Sequence, residues 1–210
     1  MKNKTLKVLA LGGLLGPILF TVTTLICGAW RPDYSHLHNF ISELGASDTS
    51  RYQLMNIMGF IPSGLFLCSF GFSMLIVTSK HLIPKIGATL IMMFGIGVTL
   101  AGVYSCDEGC PPSGSVEAAM HDSVSAMAFF SAIIGMIMLG FSFIKSTTFK
   151  RFSIYTLFSG VAAALFMMTM ISTFESRVYT GLWQRLLLLT IFIWTSVIGL
   201  YIYKSHTSQK

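Results

Sequence analysis

The chain consists of six long apolar segments separated by short polar loops. The apolar segments cover approximately residues 8–29, 53–78, 86–104, 122–144, 153–173 and 182–203. A helix needs about 20 apolar residues to cross the hydrocarbon core of a bilayer, which is the length of these segments. Lipid offers no partner to an open backbone, and barrel strands alternate over about ten residues, so continuous segments of this length are helices. We therefore predict an all-α, polytopic membrane bundle of six transmembrane helices that forms a single domain over residues 1–210.

The composition also indicates a membrane protein. Mean hydropathy is +0.72, and 53% of the residues are hydrophobic while 10% are charged. A globular domain carries about a quarter charged residues. No nucleic-acid-binding motif accompanies the net charge of +6. We therefore expect membrane lipids, and no nucleic acid, as partners; the sequence specifies neither a cofactor nor an oligomeric state.

Charged residues segregate between the two ends of the predicted bundle. All eight carboxylates fall in the first, third and fifth loops or at their edges: Asp33, Glu43, Asp48, Asp107, Glu108, Glu117, Asp122 and Glu175. The other end carries ten of the 14 cationic side chains: Lys2, Lys4, Lys7, Lys80, Lys85, Lys145, Lys150, Arg151, Lys204 and Lys210. Because cytoplasmic loops carry an excess of Lys and Arg, this imbalance predicts a multi-pass protein of the cell membrane with both termini cytoplasmic.

Two cysteines lie close together in the third loop. Cys106 and Cys110 bracket the sequence Asp-Glu-Gly on the side that we predict to be extracytoplasmic. Disulfides form and persist in oxidising compartments, so we predict a Cys106–Cys110 disulfide. Two free thiols or a metal-ligating pair are the alternatives, although a second local pair of ligands is missing.

The first loop has the pattern of a short amphipathic helix. Its sequence from residue 31 reads R-P-D-Y-S-H-L-H-N-F-I-S-E-L-G. Pro32 and Asp33 are suited to open a helix and Gly45 to close it. Apolar and polar side chains then recur on adjoining helical faces: Leu37, Phe40, Ile41 and Leu44, against His36, Asn39 and Glu43. We predict a short helix at the outer interface, which is either a lid over the bundle or a plain interfacial helix.

Four residues on the carboxylate side are candidates for catalysis. His121 and Asp122 stand at the start of the fourth apolar segment, and His36 and Glu43 lie in the first loop. Imidazoles and carboxylates are the usual proton carriers of general acid–base catalysis. His121 or His36 would be the acid, base or metal ligand, with Asp122 or Glu43 as its partner.

A metal site is not assigned from the sequence. Zinc is held by three or four His, Cys or carboxylate ligands in a fixed geometry, and the chain has no paired signature such as H-E-x-x-H. The side chains with suitable chemistry on the carboxylate side are His36, His38, His121 and Asp107.

All four cationic side chains on the carboxylate side are arginines: Arg31, Arg51, Arg177 and Arg185. Arginine forms two-pronged pairs with carboxylates and phosphates, so these four are candidates for binding the headgroup of a substrate. Arg185 precedes an apolar run, where a charge normally faces the bundle interior and has a partner. Asp122, Glu43 or Glu175 would be that partner, and an ion-pair clasp between helix ends is the structural alternative.

Small residues suit two of the apolar segments to close helix packing. Gly12, Gly13 and Gly16 lie in the first segment and Gly160 lies in the fifth. Small residues at helix interfaces in membranes let the backbones approach closely.

The middle of each apolar segment is free of Asp, Glu, Lys, Arg and His. Proton- and ion-coupled transporters usually carry such groups at the midplane, which disfavours active transport. Two hypotheses remain: an intramembrane enzyme that acts on a lipid at the outer leaflet, or a non-catalytic lipid-binding or assembly protein. Both predict that Arg51, Arg185, His121 and Asp122 converge with part of the segment 33–43 in one pocket.

Four short motifs carry a resemblance to a known family. They are R-P-D-Y-S-H at 31–36, I-S-E-L-G-A at 41–46, R-Y-Q-L-M-N at 51–56 and C-D-E-G-C at 106–110, the last followed by His121. In these motifs the chain resembles a family of prokaryotic six-span proteins known as domain of unknown function 998. The resemblance implies six spans and a site on the side of these motifs, and it implies no particular activity.

Overall fold

The structure is a computed structural model that describes residues 3–47, 49–78 and 80–205. Of the charged residues assigned to one end or the other from the sequence, Lys2, Asp48 and Lys210 lie outside the described residues.

Six helices in the described part of the chain are long and apolar enough to cross a membrane. They are α1 (Asn3–Ala29), α2 (Tyr52–Val77), α3 (Leu82–Val103), α4 (Val116–Ile144), α5 (Ser153–Ser172) and α6 (Thr180–Ser205). A short 3-10 helix, Lys150–Phe152, leads into α5. The predicted all-α membrane bundle of six helices is therefore confirmed.

The fourth helix begins earlier than its apolar segment. Ser115 caps α4, because its hydroxyl accepts a hydrogen bond from the main-chain N–H of Ala118 at 3.1 Å, and Glu117 lies in the first turn, where a carboxylate favours the helix dipole. His121 and Asp122 therefore lie more than one turn inside α4 rather than at its start.

The six helices form a closed ring. Each helix packs against its neighbours in the chain, and α6 packs back against α1. At mid-depth the interior is filled by Trp194 of α6, whose indole N–H donates to the Thr156 hydroxyl at 3.0 Å and whose ring meets the edge of Phe70. Trp194 is fully buried, so its side chain fills the interior at this level.

Glycines bring α1 close to both of its neighbours. A Cβ atom on Gly12 would lie 2.1 Å from the Phe66 carbonyl oxygen, and one on Gly13 would lie 2.6 Å from the Thr195 carbonyl oxygen. A Cβ atom on Gly16 would likewise lie 2.8 Å from the Ser63 carbonyl oxygen. The close packing predicted for the first span is confirmed, since backbones meet at each position.

The first turns of α2 contain an irregularity that joins the helix to two loops. Residues Met55–Phe60 form a π-helical segment. Asn56 lies there with its side chain buried, and its amide donates to the Gly45 carbonyl and to the Ser105 hydroxyl, both at 3.0 Å. Such π-helical turns occur frequently at functional sites.

The short helix predicted in the first loop is present as a five-residue 3-10 helix, Ile41–Gly45. It ends at Gly45, as predicted, but the predicted start at Pro32 and Asp33 is wrong, since residues 31–39 form turns. The reason is local: the Asn39 side chain accepts the main-chain N–H of Ser35 at 2.9 Å, which offers the backbone an alternative to a helix.

Candidate functional site

Three loops meet over one end of the ring. They are residues 30–47 with 49–51, residues 104–115 and residues 173–179, which we call the loop cap. Within the cap, the Ser47 N–H donates to the Cys106 carbonyl at 2.9 Å, and the first loop reaches α6 where the Leu182 N–H donates to the Leu37 carbonyl at 3.0 Å. These bonds join segments far apart in sequence and close the end of the ring.

The predicted disulfide is present in the loop cap. Cys106 and Cys110 are bonded to each other and both are buried. The turn between them contains Gly109 with φ of +75°, a left-handed conformation that glycine adopts without steric cost. The disulfide therefore fixes a tight turn whose carbonyl groups point at a neighbouring side chain.

That side chain is Arg177, which ties the disulfide turn to the first loop. Its guanidinium donates to the Gly109 and Cys110 carbonyls at 3.1 and 2.7 Å and forms an ion pair with the Glu43 carboxylate at 3.3 Å. The rings of Phe40 and Phe174 lie within 5.1 Å of the same guanidinium. Among the described residues this is the only ion pair between an Arg or Lys and a carboxylate.

Glu43 is an anchor of the loop cap. It is buried, and its carboxylate accepts the Phe40 main-chain N–H at 2.9 Å and the Asn39 side-chain amide at 2.7 Å in addition to the ion pair with Arg177. Arg31 donates to the main-chain carbonyl of Glu43 at 2.5 Å. Both carboxylate oxygens of Glu43 accept hydrogen bonds from the cap. Glu43, a candidate acid–base residue, therefore stabilises the loop cap.

Arg185 binds the first loop and no carboxylate. It donates to the Asn39 carbonyl at 3.0 Å and to the Tyr34 hydroxyl at 2.5 Å, and it lies 3.1 Å from the His36 Nδ1 atom. The carboxylate partner expected for Arg185 is therefore wrong, because carbonyl, hydroxyl and imidazole acceptors surround it. Burial raises the pKa of Tyr34 to about 12, although Arg185 opposes this, so the phenol stays protonated and donates to the Phe40 carbonyl.

His36 accepts from Arg185 only while its ring is neutral. Burial, and then the charge of Arg185, lower the pKa of His36 below its usual value of 6.5. In the unfolded chain the ring gains its proton at a higher pH than in the folded protein. The stabilisation is therefore complete above pH 6.5 and is lost as the pH falls from there towards the lowered pKa of His36.

We expect the thermal unfolding temperature of the protein to fall between pH 7 and pH 5, with part of the fall due to His36. His36→Asn keeps an acceptor on the side chain but does not titrate, so its unfolding temperature should depend less on pH. His38→Asn, at an exposed histidine of the same loop, is the control. Identical pH profiles for His36→Asn and the wild-type protein would show that His36 does not carry this dependence.

The histidines and the aspartate with metal-binding chemistry lie at four separate places. His36 lies beside Arg185, and His38 stacks on Tyr179 with the ring centroids 5.2 Å apart. Asp107 accepts the Ser115 N–H at 2.6 Å and its hydroxyl at 2.7 Å, and these bonds lower the pKa of the Asp107 carboxyl. No group of three His, Cys, Asp or Glu side chains suited to a metal ion occurs in the described residues.

A cavity of about 300 Å³ lies beneath the loop cap. Its walls are mostly apolar and come from all six helices and from the three loops of the cap, with Phe20, Phe60, Val98, Phe129, Met167 and Leu188 as representatives of the helices. The polar side chains on its walls are Ser42, His121, Asp122, Ser125 and Gln184. The predicted convergence is therefore correct for His121, Asp122 and the segment 40–42.

The same convergence is wrong for the arginines. Neither Arg51 nor Arg185 lines the cavity. Arg51 is exposed and lies over the Trp30 ring at 4.7 Å, whereas Arg185 is bound to Asn39 and Tyr34 of the first loop. Main-chain and aromatic groups outside the cavity already contact these two arginines, so neither requires a partner inside the bundle.

His121 is held in one orientation at the wall of the cavity. It is buried, and its Nδ1 atom lies 3.0 Å from the Ala101 carbonyl and 2.8 Å from the Tyr104 carbonyl at the end of α3. Two carbonyl oxygens accept and do not donate, so Nδ1 carries the proton. In the neutral imidazole the Nε2 atom is a hydrogen-bond acceptor, and it has no partner among the described residues.

The cavity opens sideways between α4 and α5. Asp122, Ala126 and Phe130 recur at intervals of four residues along α4; each lines the cavity and each is exposed on the surface of the bundle. Ile171 does the same on α5. These two helices are apolar spans, so the opening between them faces the hydrocarbon region of a membrane. At one end the opening extends to Asp122.

A comparison with protein-family models identifies the relatives of this chain. A family model described as "Protein of unknown function (DUF998)" matches residues 14–201. The chain belongs to this family. No match is found among curated proteins or among solved structures. In this DUF998 protein, the motifs at 31–36, 41–46 and 106–110 build the loop cap and the motif at 51–56 leads into α2.

Sequence reasoning missed several polar residues of the DUF998 site. Gln184 is buried at the cavity wall, and its side-chain oxygen accepts the Ile41 N–H at 2.7 Å. Ser42 and Ser125 also line the cavity, and Asn56 lies behind its wall. A useful signal was available for the two amides, because an Asn or Gln inside an apolar span needs a partner in the protein.

Proposed function

We propose that the protein binds an amphipathic, lipid-like molecule from the outer leaflet of the cell membrane. The apolar chain of this molecule enters the cavity between α4 and α5, and its polar end lies at His121 and Asp122. The observation that supports this most strongly is that Asp122, Ala126 and Phe130 line the cavity and are also exposed on the surface of the bundle.

The shape and lining of the cavity suit such a ligand. Its volume of about 300 Å³ is at the lower end of the roughly 300–1,000 Å³ usual for small-molecule sites, which suits one chain and a small polar group. An apolar chain loses nothing when it moves from lipid into an apolar cavity, so affinity depends on the few polar groups. Those groups lie together near the loop cap.

Occupation of the cavity is expected to depend on the side opening. Ala126→Phe would place a ring in the opening, and we expect photo-cross-linking of a diazirine-labelled dodecyl chain to the cavity walls to fall by about tenfold, the equivalent of 1.4 kcal/mol. Ala119→Phe adds the same ring at an exposed position of α4 that does not line the cavity. Equal labelling of both variants and the wild-type protein, read by peptide mass spectrometry, would contradict the proposal.

Acid–base catalysis on the bound molecule is the second candidate function. It is favoured by His121, whose Nδ1–H is fixed by two carbonyls and whose Nε2 atom is an acceptor at the cavity wall. The experiment that separates the two functions is recovery of the bound molecule. Unchanged ligand indicates binding alone, whereas a product that is absent with His121→Gln indicates catalysis.

We further propose that the loop cap faces outward and that both termini are cytoplasmic. The ten Lys and Arg of the opposite end support this orientation. We expect alkaline phosphatase to be active when inserted between Ser113 and Gly114 in the third loop, and inactive when fused after Lys210. An active fusion at Lys210 would contradict the orientation.

A further inference from the structure

The cavity beneath the loop cap contains one acidic side chain and no basic one other than a histidine. Among the described residues on its walls, Asp122 is the carboxylate, His121 is the imidazole, and neither Lys nor Arg occurs. A phosphate in the cavity would therefore meet a carboxylate without a counterion. Charges of the same sign repel each other most strongly where water is scarce.

The arginines of the loop cap are not available to such a ligand. Arg177 is bound to Glu43 and to the disulfide turn, and Arg185 to Tyr34, Asn39 and Gly181. Moving either guanidinium into the cavity would leave these acceptors without donors. An unpaired buried acceptor costs about 1–3 kcal/mol, so these side chains favour their present places.

Five polar side chains line the cavity, and those of Ser42, Ser125 and Gln184 can donate as well as accept, whereas His121 and Asp122 present acceptors. In the neutral ring of His121 the Nε2 atom accepts, because the contacts of Nδ1 with two carbonyl groups place the proton on Nδ1. The Asp122 carboxylate has no hydrogen-bond partner among the described residues. The Gln184 side-chain oxygen is occupied by the Ile41 N–H. A ligand that satisfies His121 and Asp122 must therefore donate hydrogen bonds.

We infer that the polar end of the ligand is a hydrogen-bond donor without negative charge, as in a long-chain alcohol or a long-chain amine, and that lipids with a phosphate at this position are rejected. This inference rests on the proposed function, since it describes the ligand of the same cavity. It replaces the headgroup expected from the sequence, which was an anion bound by Arg51 and Arg185. The donor lies between the His121 Nε2 atom and the Asp122 carboxylate.

The inference is tested by competition in nanodiscs that contain the full-length protein. The diazirine-labelled dodecyl chain is displaced by 1-dodecanol, dodecylamine or dodecyl phosphate, with each concentration expressed as a mole fraction of the bilayer. We expect the alcohol and the amine to displace the probe at mole fractions about tenfold lower than the phosphate requires. The phosphate would lose a hydrogen bond or be repelled by Asp122, and one such contact corresponds to about this factor. Equal or better displacement by the phosphate would overturn the inference.

A charge-neutral variant sharpens the test. Asp122→Asn is expected to lower the affinity for the amine by about tenfold, because the ion pair with the amine is lost. The affinity for the alcohol should change by less than about threefold, because hydrogen bonding remains. An unchanged affinity for the amine would contradict a role of Asp122 at the polar end.

The outcomes separate the inference from the proposed function. If the phosphate displaces best while Ala126→Phe still lowers labelling, the cavity binds lipid-like molecules and only the inference fails. If none of the three compounds displaces the probe and Ala126→Phe labels as well as Ala119→Phe does, the proposed function fails as well.

Discussion

Arg177→Ala is expected to destabilise the protein by about 3 kcal/mol, because removing one partner of a buried ion pair leaves the other charge without compensation. Glu43 is buried and would lose its cationic partner, and the Gly109 and Cys110 carbonyls would lose their shared donor. The Arg177 side chain is 30% exposed, so we place the loss at the lower end of the range for buried pairs. Equilibrium unfolding in mixed micelles of increasing SDS content measures it.

Arg51→Ala is the matched control for this variant. Both arginines lie in the loop cap, and both have a positive φ, 65° for Arg51 and 57° for Arg177. Arg51 is exposed and contacts the Trp30 ring, so its loss should cost about 0.5–1 kcal/mol. Equal destabilisation by the two substitutions would show that the Arg177 contacts contribute nothing specific.

Gly95→Ala is expected to destabilise the protein by about 2 kcal/mol, since an added methyl group in a close-packed interface forces the backbone apart. A Cβ atom on Gly95 of α3 would lie 2.2 Å from the main-chain nitrogen of Cys68 and 2.7 Å from its Cα atom. Main-chain atoms in the middle of α2 have no way to move aside without shifting the helix.

Gly160→Ala is the control for the glycine substitution. The nearest atom to its added Cβ would be the side-chain Cγ1 of Ile137, at 2.9 Å, and the nearest main-chain atom, the nitrogen of Ile137, would lie 3.3 Å away, which is farther than at Gly95. Repacking of that side chain offsets the added volume, and alanine also favours a helix over glycine by about 1 kcal/mol. We expect a change close to zero in the same unfolding assay, and a loss equal to that of Gly95→Ala would contradict the packing account.

Features that depend on local pattern could be predicted from the sequence. The six spans follow from segment length, and the Cys106–Cys110 disulfide follows from spacing and compartment. The packing of Gly12, Gly13 and Gly16 against neighbouring backbones also follows from residue size. Each of these could be recognised from residues that are close together in the chain, without knowledge of their distant partners.

Features that depend on long-range pairing could not be predicted. The sequence shows that Arg177 and Glu43 lie on one side of the membrane, but 134 residues separate them and Arg177 competes with three other arginines for partners. Arg185 was expected to need a carboxylate, whereas the folded first loop supplies a phenol, an imidazole and carbonyls. Which acceptors surround a charge is decided by the fold of the loop, which the sequence pattern did not reveal.

The position of His121 depends on where α4 begins, and the helix begins earlier than its apolar segment. The apolar segment begins near residue 122, but the Ser115 hydroxyl caps the helix seven residues earlier. The added turns carry His121 under the carbonyl groups that end α3, where it becomes part of the cavity wall. A serine followed by a glutamate two residues later was the available signal for this start.

We propose that the cavity beneath the loop cap holds a lipid-like molecule that enters between α4 and α5. A cryo-EM map of the protein, purified from its own membranes into nanodiscs, is the decisive measurement. We expect elongated density that passes Ala126 and Phe130 and ends within hydrogen-bonding distance of the His121 Nε2 atom. A cavity filled by rotated Phe129 and Phe130 side chains, with density for lipid only on the outer surface of the bundle, would contradict it.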